Sequence, residues 1–110
     1  MNDCELLDLA AKAVGLELEE NRHCPSGGMW IVDKNTGLDI VWSPLTNDGD
    51  AMRLATSLQL SISWFTTLQY VMVERRGFGE NIGWTEESGR GGAARRAITV
   101  AAAKIGSALP

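Results

Sequence analysis

The chain has 110 residues, 45% of them hydrophobic and 22% charged, and a formal net charge of −4. That length fits one domain, and the apolar fraction is enough for a core, which excludes a disordered chain. No apolar run approaches the ~20 residues that cross a bilayer, and the opening Met1-Asn2-Asp3-Cys4-Glu5 carries acids where a signal peptide carries Lys or Arg, so a cytoplasmic protein is expected.

Taken in chain order, the first element is a helix over about 3–14. Asn2 or Asp3 caps it, Leu6, Ala10, Ala13 and Val14 form one stripe, and Gly15 closes it. Glu17 to Cys24 is polar with room for a short edge strand, and Pro25-Ser26-Gly27-Gly28 is a turn. Met29 to Val32 and Leu38 to Trp42 are rich in strand formers. Asp33-Lys34-Asn35-Thr36-Gly37 between them has hairpin-loop chemistry. Pro44 ends the second strand. Thr46, Asn47 and Asp48 then offer caps for a second helix, whose stripe is Ala51, Leu54, Ala55 and Leu58.

Leu60 to Trp64 alternates apolar and polar, the pattern of a half-buried strand, and Leu68 to Glu74 reads as another. Arg75 to Asn81 reads as a turn-rich loop, and Ile82 to Glu86 as a weaker edge strand. Ser88 to Gly92 reads as a flexible lead into a last, alanine-rich helix striped by Ala94, Ala97 or Ile98, Ala101 and Ile105. The order is α-β-β-α-β-β-β-α. It predicts an α+β domain with a mostly antiparallel sheet of four to five strands and three helices packed on it.

The charge is unevenly spread. Residues 1–50 hold ten acids against three bases, a net −7; residues 51–110 hold four acids against seven bases, a net +3. Halves of opposite sign attract within one fold, or present two charged faces to different partners.

Candidate chemistry is sparse. Gly89-Arg90-Gly91-Gly92 ahead of a helix, with Arg95 and Arg96, suggests an anion held on backbone N–H groups. It lacks the lysine and hydroxyl of a phosphate-binding loop, so a flexible loop with solvated arginines is the competing reading. Thr46-Asn47-Asp48-Gly49-Asp50 superficially matches a calcium loop but lacks the alternating ligands beyond Asp50 and the closing glutamate, and capping explains it better. Trp30, Trp42, Trp64 and Trp84 fill a core or anchor an interface. His23, Cys24 and Cys4 lack the paired spacing of a zinc site, and both thiols read as free. No nucleophile sits beside a base in any known spacing, so no enzyme, cofactor or metal is expected.

The segment Trp42-Ser43-Pro44-Leu45-Thr46-Asn47-Asp48-Gly49-Asp50-Ala51, with Leu54-Ala55 after it, resembles small bacteriophage proteins of the phage ABA-sandwich and NinX-like set. The opening Met1 to Ala13 and the closing Arg95 to Ile105 are similar too; Ser61 to Arg90 is not. The resemblance implies a helix-sheet-helix sandwich of phage or prophage origin in a bacterial host's cytoplasm, and no catalytic residues. The leading expectation is a non-enzymatic protein that binds a host protein or complex, such as CRISPR-Cas or another defence system, with a homodimer left open and direct nucleic-acid binding not expected. The alternatives are sequestration of a small nucleotide signal, or a small enzyme. The candidate binding residues are Trp42, Asp48, Asp50, Arg90, Arg95 and Arg96.

Overall fold

A computed structural model describes residues 2–16, 29–32 and 39–109. The polar segment with His23 and Cys24, the Pro25–Gly28 turn and the Asp33–Gly37 loop lie outside the described residues. Helix α1 spans Asp3–Val14. The Asn2 side chain accepts from the Glu5 N–H at 2.8 Å and donates to the Glu5 carboxylate at 3.2 Å, a reciprocal cap. Gly15 stops the helix at φ +69°, where Leu16 N–H reaches Ala11 O and Gly15 N–H reaches Lys12 O.

Strands β1 (Met29–Val32) and β2 (Asp39–Trp42) pair antiparallel, Met29 opposite Trp42 and Val32 opposite Asp39. Helix α2 (Asp48–Leu58) starts on Asn47, whose side chain accepts from Asp50 N–H, and buries Ala51, Leu54, Ala55 and Leu58, the predicted stripe. It ends like α1, but with Gln59 rather than glycine at φ +55°.

Strands β3 (Ser61–Phe65), β4 (Tyr70–Arg75) and β5 (Phe78–Gly83) form an antiparallel sheet in that order. The α+β class, the element order and the antiparallel pairing follow the sequence expectation. The five strands are divided between this sheet and the β1–β2 pair.

One boundary moves. The expected loop over Arg75–Asn81 shrinks to Arg76-Gly77, with φ +49° and +88°, and the last strand begins at Phe78 instead of Ile82. Two consecutive positive φ angles are what a two-residue hairpin turn needs to match strand twist. They let all six residues of β4 pair, and this pairing outweighs the poor strand propensity of Gly79, Glu80 and Asn81.

Helix α3 (Arg90–Ser107), preceded by a 3-10 turn over Glu87–Gly89, is the centre of the molecule. The expected flexible glycine loop is instead the start of this helix, with Gly91 and Gly92 in its first turn. Helices α1 and α2 pack on α3, and α3 packs on β4 and β5. Its burial therefore exceeds the one predicted stripe. Ala93, Ala97, Ile98, Ala101, Ala102, Ala103 and Gly106 are all buried, and Thr99 hides its hydroxyl by donating to Arg95 O at 2.8 Å. Small side chains make this possible, since they let neighbouring backbones approach. At Gly106 a Cβ would lie 1.9 Å from Leu9 O, so α1 and α3 touch backbone to backbone. On the sheet side the core receives Val71 and Val73, both fully buried. No helix among the described residues is long and apolar enough to cross a membrane.

Candidate functional site

The Ser43–Asp50 segment is a brace between β2 and α2. Asp50 accepts from Ser43 N–H at 3.0 Å with one carboxylate oxygen and from Arg53 at 2.6 Å with the other. The Ser43 and Thr46 hydroxyls are hydrogen-bonded to each other, and Pro44 is fully buried. Trp42 is buried in the core. Asp48 pairs with Arg95 at 2.6 Å, and the Arg95 Nε donates to Leu45 O at 3.1 Å, which ties the brace to α3. Four of the six candidate residues, Trp42, Asp48, Asp50 and Arg95, thus hold the fold together.

Arg96 pairs with Asp3 of α1 at 3.2 Å. The two pairs Asp48–Arg95 and Asp3–Arg96 join the acidic half of the chain to the basic half. Opposite charge is used here within the fold, between elements far apart in sequence. Each pair is surface-exposed on at least one side, so each contributes only about 0–1 kcal/mol.

Arg90 lies over the Trp84 ring at 5.6 Å, a cation–π contact. Trp84 is buried, with its indole N–H unpartnered, and its ring meets the Trp64 ring edge-on at 6.0 Å. A broad cleft of about 400 Å³ opens beside it, lined by Trp84, Ser88, Gly89, Gly92 and Arg96 among others. The structure therefore brings Arg96 and the glycine-rich turn together, while Arg95 turns away towards α2.

A second feature lies at the same end of the sheet and is absent from the sequence-derived set. Trp64 is 47% exposed, Phe65 37% and Leu68, in the β3–β4 turn, 72%. Phe65 stacks on Tyr70 with ring centres 4.6 Å apart. The Trp84 N–H of the backbone bonds to Gln69 O in this turn, which fixes the aromatic turn against the Trp84–Arg90 pair. Single exposed apolar residues such as Met52 need no explanation. Trp64 adjoins Trp84, which Arg90 covers, on the helix face of the sheet, while Phe65, the next residue of the strand, shows on the other face with Tyr70; with Leu68 in the turn they surround this end of the sheet with exposed apolar and aromatic groups. The sequence does carry a signal for it. From Leu54 to Val73 no residue is charged, although the chain elsewhere is richly charged.

Comparison with family models, curated proteins and solved structures finds no match to this chain.

Proposed function

We propose that this chain is a non-enzymatic accessory protein of phage or prophage origin that binds a host protein through the aromatic turn end of its sheet. The observation that carries this reading is the exposed run Trp64, Phe65 and Leu68 set against Trp84 and Arg90. Apolar side chains held in water by a hydrogen-bonded turn gain free energy when a partner covers them, roughly 25 cal/mol per Å². Tryptophan, tyrosine and arginine are the residues on which such interfaces concentrate their affinity. Four of the charged residues singled out in the sequence are engaged within the chain. Asp48, Asp50, Arg95 and Arg96 each have a partner within the chain. The likeness of the Trp42–Ala51 segment to phage proteins supports a host factor as the partner.

The test is capture of the tagged protein from host lysate followed by native mass spectrometry, comparing wild type with Leu68→Ser. Leu68 is the most exposed large apolar residue described, so its loss leaves the core unchanged. The reading predicts a stoichiometric protein partner on the wild type that is lost, or retained at least tenfold more weakly, on Leu68→Ser. Equal capture by both refutes the proposed surface. A bound mass of nucleotide size instead of a protein refutes the reading and points to the cleft beside Arg96.

A further inference from the structure

The two edges of the three-stranded sheet are treated differently. A free sheet edge offers a row of N–H and C=O groups, and soluble proteins guard it with charge, proline, a bulge or a covering element. The β5 edge is guarded. It carries Glu80, and Lys104 of α3 donates to Gly79 O at 2.5 Å while lying 3.9 Å from the Glu80 carboxylate. Among the described residues the β3 edge has no such device. Ser61-Ile62-Ser63-Trp64-Phe65 has no charge and no proline, and among the described residues no strand pairs on its outer side.

The helix side of β3 is also incomplete. Ile62 and Trp64 stand opposite Val73 and Val71, so they share the face on which α3 packs. But α3 lies over β4 and β5, and Trp64 projects past that cover, nearly half exposed. The occupant that completes this edge is an uncharged extended strand that brings apolar side chains to the helix face and small polar ones to the other. β3 itself answers that description.

We infer that two copies of this chain associate by antiparallel pairing of β3 with β3 across a two-fold axis, giving a continuous six-stranded sheet. An isologous contact requires a surface complementary to itself. The register centred on Ser63 pairs all five residues of the strand. Ser63 faces Ser63 of the second copy, Ile62 faces Trp64 in both directions, and Ser61 faces Phe65. Each half-exposed Trp64 thereby gains an apolar neighbour on the helix face, and no like charges meet, although each copy carries −4. The two β3–β4 turns then point to opposite ends of the dimer, so Leu68 stays free in both copies while Trp64 and Phe65 enter the seam; host capture by Leu68→Ser reads the host surface, and the association midpoint of the Ser63 variants reads the dimer.

The experiment is sedimentation of the purified full chain from micromolar to millimolar concentration, beside Ser63→Lys and Ser63→Glu. Wild type is expected to pass from monomer to dimer. Each variant, with an unchanged circular dichroism spectrum, is expected to shift the midpoint upward by about fivefold or more, because like charges then sit directly opposite. An equimolar mixture of the two variants is expected to restore the dimer. A wild type that stays monomeric throughout, or a dimer indifferent to both variants, overturns the inference. Amide exchange of wild type keeps the test decisive even if a variant misfolds. Protection over residues 61–65 must rise with concentration, and protection independent of concentration overturns the proposal.

Discussion

The contact between α1 and α3 makes a sharp prediction at Gly106. In an exposed helix, Gly→Ala stabilises by up to ~1 kcal/mol through reduced backbone freedom. At Gly106 the added methyl would sit 1.9 Å from Leu9 O and 2.8 Å from Leu9 C. These are backbone atoms of a packed helix, so no side-chain rotation relieves the clash, and α1 must move away from α3 by an ångström or more. Overpacking of this kind costs ~3 kcal/mol. The net loss for Gly106→Ala is then about 2 kcal/mol, and at about 4–6 °C per kcal/mol for a domain of this size Tm falls by roughly 8–12 °C. Gly92→Ala is the control on the same helix. Its Cβ meets only the Arg95 guanidinium at 3.7 Å, an ordinary van der Waals contact, and Tm should rise by a few degrees, for about 0.5–1 kcal/mol. Thermal melts followed by far-ultraviolet circular dichroism decide it. Equal or higher stability of Gly106→Ala would refute a backbone contact between the two helices.

Two further substitutions probe the brace and the hairpin. Asp50→Ala removes the acceptor for the part-buried Ser43 N–H and should cost about 1–3 kcal/mol in urea unfolding. Asp50→Asn, which keeps an accepting oxygen, should recover most of that, and neither should change partner capture. Gly77→Ala places a Cβ at φ +88° and should cost about 1–2 kcal/mol, whereas Gly77→Asn should cost less; equal Tm values for the three residues would exclude a strained turn.

Much of the fold is legible in residue chemistry, where local rules act alone. Asn2 and Gly15 bound α1, and Ala51, Leu54, Ala55 and Leu58 give the buried face of α2, because capping and helical period are local properties. The end of α2 is not marked, since Gln59 adopts the left-handed conformation without the glycine that would announce it. The β4–β5 turn is obscured because Arg76 takes a position that usually holds Asn, Asp or Gly. The stripe expected on α3 is too narrow, because periodicity cannot tell that two helices and two strands pack on one helix. For the site, Trp42, Asp48, Asp50 and Arg95 are legible as a constellation, but polar residues near a cap serve a brace and a ligand equally well in sequence. The uncharged run around Leu68 is a signal, but the exposure of Leu68 itself is hidden for the converse reason. A leucine is expected inside, and only the turn geometry holds it in water.

The central claim, a protein-binding surface at the turn end, is tested most directly by site-specific photocrosslinking in the host cell. A benzophenone side chain placed at position 68 probes that end, and one placed at Asp8, exposed on α1, probes a distant surface. The account predicts one discrete heavier adduct to a host protein from position 68 and none from position 8. An adduct from position 8 with none from 68 would contradict it.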